Sequence, residues 1–172
     1  MAVDGDRRAR YHLAEVNLAL LREPLDSPEL ADFVALLEPI NALADASPGF
    51  VWRLQTEDGD STAIRAFDDD RILVNLTVWE SLETLRAFTY ASRHLEVLRR
   101  RREWFHRIAD AHLALWWVQA GHIPTVAEAV TRLELLRRRG PSPDAFTLRE
   151  PFPAPDAPAV AGSRVTAPTG AA

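Results

Sequence analysis

"RILVNLTVW", residues 71–79, is the most apolar run in the chain that reads as a strand. Its alternating sets are Ile72, Val74, Leu76, Val78 and Leu73, Asn75, Thr77, Trp79. In a strand these sets face opposite sides of the sheet, and neither is plainly made for water. A sheet holding this strand needs cover on both faces. "HLALWWV" (112–118) has the same property and sends Trp116 and Trp117 to opposite sides. "YHLAEVNLAL" (11–20) alternates as a further strand, and "FVWRLQ" (50–55) is a short one. "TAIRAF" (62–67) reads as its hairpin partner or an irregular extension.

Helical patterns lie between these strands. Ser27 and Pro28 signal a helix start, and Leu30, Phe33, Val34, Leu37, Ile40 and Leu43 keep its period, with a kink or break expected at Pro39. A second helix starts at Ser81, with Leu82, Leu85 and Phe88 on one side, and "ASRHLEVLRRRREWF" continues it or forms another. Thr125 caps "VAEAVTRLELLRRR", which stops at Gly140. This order predicts an α+β fold: a ferredoxin-like antiparallel sheet with helices on one face. One helix layer covers one face, so a second copy of the chain is the expected cover for the other. The single domain is expected over residues 11–152, with an Ala/Pro-rich disordered tail over 153–172.

The arginines 99–102 in "HLEVLRRRREWFHR" (94–107) raise the question of a polyanion site. Successive helical residues point about 100° apart, so four arginines cannot share a face. Arg99 and Arg100 turn to water, with Glu96 and Arg100 as an i,i+4 pair, while His94, Val97, Arg101 and Trp104 form an inward stripe. The net charge of −5 also argues against nucleic acid. All twenty basic residues are arginine, which excludes Schiff-base and lysine-base chemistry. The absence of cysteine excludes thiolate nucleophiles and cysteine-held metals. No apolar leader opens the chain and no run is long enough to cross a bilayer, so no membrane partner and a cytoplasmic location are expected.

The stretches "SPGFVWRLQ", "ILVNLTVWES", "RRRREWF" and "LWWVQAGHIPTVAEAVTRLELL", followed by "GPSPDAFTLREPFP", resemble the DUF3291 family across residues 11 to 153. Gln119 stands where the family pattern has a proline. That family is similar to the antibiotic-biosynthesis monooxygenases, so the resemblance implies a dimeric α/β-barrel type of fold and a monooxygenase-like oxidoreductase as the enzyme class.

Asn17 and Asn75 lie in the middle of apolar strands, where an unpaired buried amide costs about 1–3 kcal/mol. They are either bonded within the sheet or part of a pocket wall, with Glu15 and Arg53 joining them if the strands align. His94, beside Arg101 and Trp104, is the candidate catalytic group, as a general base or a haem ligand. Trp117 and His122 are further candidate ligand contacts. No histidine spacing gives a metal signature, and no glycine-rich phosphate loop is present. The expected function is binding of a hydrophobic metabolite in a dry, enclosed sheet–helix pocket, catalytic or not; a homodimer with a purely structural role is the alternative. One cavity touching both Asn75 and His94 separates these readings.

Overall fold

The computed structural model describes residues 10–90 and 92–157. The apolar run around Val74 is strand β3 (Ile72–Trp79), and it pairs with β1 (Tyr11–Leu21) in antiparallel register, Asn17 opposite Asn75. On its other edge β3 holds the short β2 (Phe50–Arg53). The far edge of β1 is shared by β4 (Phe105–His106), which pairs at Leu20 and Leu21, and β5 (Leu113–Gln119), which pairs from Tyr11 to Asn17. The order β2-β3-β1-β5, all antiparallel, is the ferredoxin-like arrangement.

Helices α1 (Ala31–Asp45), α2 (Leu82–Thr89) and α3 (Ser92–Trp104) pack on the sheet face that carries Leu13, Asn17, Leu73, Asn75 and Trp79. The opposite face, with Val16, Leu76 and Trp116, is covered by α4 (Val126–Arg139) through Ala129, Leu133 and Leu136, and by residues of the long β2–β3 connection. Val16 is 1% and Leu76 0% exposed within a single chain. The doubly apolar pattern of β3 was thus a true signal of two covered faces. The cover is intramolecular, because the amphipathic α4 returns to the bare side, so that face does not call for a second subunit.

Local differences have local causes. α1 runs through Pro39 without a break, and a 3₁₀ turn (Pro28–Leu30) precedes it. In that tight turn the Leu30 N–H donates to the Ser27 carbonyl at 3.1 Å, and the Ser27 hydroxyl makes no cap bond. Residues 62–67 form no strand; Ser61 Oγ donates to the Val74 carbonyl at 2.8 Å, so the connection is tied to β3 by a side chain. Ser81 and Thr84 form a reciprocal capping box on α2. After α4, Phe146 bridges to Leu115 beyond the sheet edge, and the strap runs on to residue 157. Of the tail expected to be disordered over 153–172, residues 153–157 belong to this strap and the rest lies outside the described residues.

Gly49 joins α1 to β2 at φ +77°, and a Cβ there would run into the Thr84 side chain of the capping box. Gly49→Ala is therefore expected to lower stability by more than about 1 kcal/mol. Urea unfolding checks this, and an unchanged midpoint would show that the contact yields freely.

Candidate functional site

α1 and α3 do not close over the middle of the sheet. They are held together at one end, where Arg100 Nη2 meets Asp32 Oδ2 at 2.9 Å and Phe33 lies 5.7 Å from Trp104, centroid to centroid. Arg100 also pairs with Glu103 at 2.9 Å and sits 4.8 Å over the Trp104 ring. It therefore bridges two helices, whereas the sequence suggested a pair with Glu96. Beyond this join a cleft of about 180 Å³ reaches the sheet between the helices.

The floor of the cleft is polar where the surrounding sheet is apolar. Asn17 and Asn75 are direct cross-strand partners, and such side chains share a face at roughly 5 Å between Cβ atoms. Both line the cleft, and Asn75 is exposed although its strand is central. Among the described residues neither amide finds a hydrogen-bond partner. The cleft is thus open to water, not dry and enclosed, which is how these amides remain solvated. Apolar side chains of α1 form one wall, joined by Asn41, and His94, Val97, Leu98 and Arg101 of α3 form the other. Asn41 was missed in the sequence; its signal was an amide at helical spacing from Leu37 in an otherwise apolar stripe.

His94 is held by its neighbours. Its Nδ1 lies 2.9 Å from the Thr89 carbonyl at the end of α2, and since a carbonyl only accepts, Nδ1 carries the hydrogen. Nε2 then keeps its lone pair. The ring packs on Phe88 at 4.6 Å, and Phe88 stacks on Trp79 at 5.0 Å. Burial pushes the imidazole pKa down, against a smaller upward pull from the Thr89 bond. A depressed folded-state pKa means stability that is present above pH 6.5 and falls as pH drops from 6.5 through the folded value. Nitrogen-detected NMR is expected to show the Nδ1–H tautomer and a midpoint below 6.5. An Nε2–H tautomer at neutral pH would remove His94 as a base.

Glu15 lies one pleat beyond Asn17 on the same face. Its Oε2 accepts from Thr77 Oγ1 at 2.9 Å, and Thr77 in turn accepts from Trp79 Nε1 at 3.0 Å. Desolvation raises the Glu15 pKa more than the Thr77 bond lowers it. Asparagines, a neutral histidine and an acid of raised pKa thus share one side of the sheet.

Glu15 does not line the cleft, and the other sequence-derived candidates also lie outside it. Arg53 faces the same side but is taken by Asp45 at 2.8 and 3.2 Å and by the Gly59 carbonyl at 2.7 Å, stapling the end of α1 to β2. Trp104 is 1% exposed in the join between α1 and α3. Trp117 donates to the Phe152 carbonyl at 2.8 Å under the C-terminal strap. His122 meets Glu128 at 2.9 Å beside the start of α4. Each has a structural partner that sequence spacing could not display.

Haem fits poorly here. The cleft is smaller than the roughly 300–1,000 Å³ of sites for drug-sized ligands, and a porphyrin exceeds it. Among the described residues no group of three or more potential metal ligands occurs, and no helix is long and apolar enough to cross a membrane.

Three solved structures illustrate what the chain is similar to. SnoaB, a cofactor-independent oxygenase from Streptomyces nogalater, is 17% identical over 65% of this chain and 95% of its own, with a TM-score of 0.44. Rv0793 from Mycobacterium tuberculosis is 15% identical over 66% and 99%, with a TM-score of 0.43. A conserved protein from Methanosarcina mazei Go1 is 12% identical over 65% and 95%, also at 0.43. Among curated proteins no sequence match was found. The family model described as "Domain of unknown function (DUF3291)" matches residues 12–162, a span that holds every strand and helix above except the first residue of β1. The chain therefore belongs to the DUF3291 family.

Proposed function

We propose that the protein binds a small, largely apolar metabolite in the cleft between α1, α3 and the sheet, with His94 as its general base. The observation that supports this reading is the facing pair Asn17 and Asn75, two amides without partners among the described residues, on the floor of a cleft that His94 also lines. A purely structural role would have paired those amides within the sheet. Unpartnered donors and acceptors at the base of an apolar cleft instead suit one polar oxygen on an otherwise apolar ligand. With Nε2 unprotonated, His94 can remove a proton from that ligand, and the floor amides can hold the oxygen that gains charge. This is a fitting first step for an oxidoreductase of the monooxygenase-like kind acting on a hydrophobic metabolite. A non-catalytic binder would use the same floor and walls and leave the His94 lone pair idle.

The test is a titration of ¹⁵N-labelled protein with 4-phenylbutan-1-ol, a neutral probe with an apolar body and one oxygen. The side-chain amide signals of Asn17 and Asn75 are expected to shift most, together with His94, and Asn75→Leu is expected to weaken binding about 10-fold. Shifts confined to other surfaces, or none at millimolar probe, would overturn the reading.

A further inference from the structure

Five arginines among the described residues are only partly exposed: Arg53, Arg86, Arg100, Arg101 and Arg132. Four of them have acceptors. Arg53 is held by Asp45 and Gly59, Arg86 by the Leu148 carbonyl, Arg100 by Asp32 and Glu103, and Arg132 by the Asp144 carbonyl. Arg101 has no hydrogen bond or ion pair among the described residues, yet it lines the cleft. A guanidinium offers five N–H donors in a planar fork that matches a carboxylate, and a half-buried one is seldom left idle.

Its position along α3 adds a length. His94, Val97, Leu98 and Arg101 follow the i, i+3, i+4, i+7 spacing of a single helix stripe. Seven residues at 1.5 Å place Arg101 about 10 Å along the axis from His94. Apolar side chains lie between them on α3 and across from them on α1, where Phe33 and Leu36 also line the cleft. The charge count limits the anion. Arg101 is the one arginine among the lining residues, the chain contains no lysine, and His94 is held neutral at ordinary pH. One guanidinium balances a monoanion and leaves a phosphate dianion short of a partner. Asp60 lines the cleft too, but its Oδ1 is occupied by the Thr62 N–H at 2.8 Å and the Thr62 hydroxyl at 2.6 Å.

From this arrangement we infer that the ligand is an amphipathic organic carboxylate: its carboxylate pairs with Arg101, its apolar body lies along Val97, Leu98, Phe33 and Leu36, and its far end reaches His94. This deepens the binding reading above and rests on it. It assigns Arg101 to charge recognition, a role distinct from the base at the opposite end of the stripe.

The experiment compares two matched probe series by the same NMR titration, ω-phenylalkanoates with two to six methylenes and the corresponding ω-phenylalkanols. The carboxylate of best-fitting length is expected to bind about 10-fold or more tightly than its alcohol, and less tightly at high salt. In Arg101→Gln that preference should vanish, the carboxylate falling to the affinity of its alcohol. Arg102→Gln, on the exposed side of α3, should leave both affinities unchanged. If the alcohols bind but the carboxylates show no advantage, or if the advantage survives Arg101→Gln, the carboxylate assignment is overturned and the apolar cleft stands. If neither series binds, both readings fall.

Discussion

Trp79→Ala is expected to remove about 3–5 kcal/mol of stability, a large fraction of what a domain of this size possesses. Trp79 is 0% exposed and sits between Phe50, edge-on at 5.4 Å, and Phe88, stacked at 5.0 Å. Deletion of the indole leaves a cavity lined by two aromatic rings and frees Thr77 of its Nε1 donor. The loss should not be confined to stability. Phe88 carries the His94 ring, so a relaxed Phe88 should admit water and return the imidazole pKa toward its ordinary value. Trp79→Phe keeps an aromatic ring without the N–H, and a smaller cost of about 1–2 kcal/mol is expected. Urea unfolding gives the first quantity and the His94 titration the second. A Trp79→Ala variant that unfolds like the parent would show that the two rings collapse into the gap. A His94 midpoint that does not move would disconnect the stack from the site.

Glu15→Gln should change the pH dependence of stability. The carboxyl is raised above its ordinary value of 4.5 by desolvation. A raised folded-state pKa means that the folded protein holds this proton more tightly than the unfolded chain does. Its contribution is fully present below pH 4.5 and is lost as pH rises through the folded value, with a slope of up to about 1.4 kcal/mol per pH unit. Glutamine keeps an acceptor for Thr77 and carries no charge. The variant is therefore expected to match the parent at pH 4 and to melt at a higher temperature at pH 8. Parallel stability curves from pH 4 to pH 8 would mean that Glu15 is well solvated and ionises freely.

Both expectations depend on neighbours from distant parts of the chain, and this marks the boundary of what could be read beforehand. The α+β class, strands β1, β2, β3 and β5 and the two well-capped helices were legible because their signals are local: alternation in β1 and β3, Ser81 and Thr125 before apolar periods, Gly140 after one. β4 was not, since Phe105 reads as the end of a helix. Asn17 and Asn75 stood out because they interrupt apolar strands, but their sequence positions left bonding within the sheet and a pocket wall both open. His94 and Arg101 could be placed on one helix stripe by counting. Trp104, Trp117, Arg53 and His122 could not be sorted from them, because aromatic and charged side chains serve a core, a staple or a site equally well until their partners are known.

The sequence by itself determined that β3 must be covered on both sides and that two amides interrupt apolar strands. Period-2 alternation and side-chain solvation suffice for that. Only the tertiary structure decided that α4, and not a second copy, covers the Val16–Leu76–Trp116 face, because that depends on where a helix far downstream of β3 returns. It also decided that α1 and α3 join at one end and part over Asn17 and Asn75. The distinction is physical: local periodicity specifies which surfaces must leave water, whereas long-range packing chooses what covers them and where a gap is left.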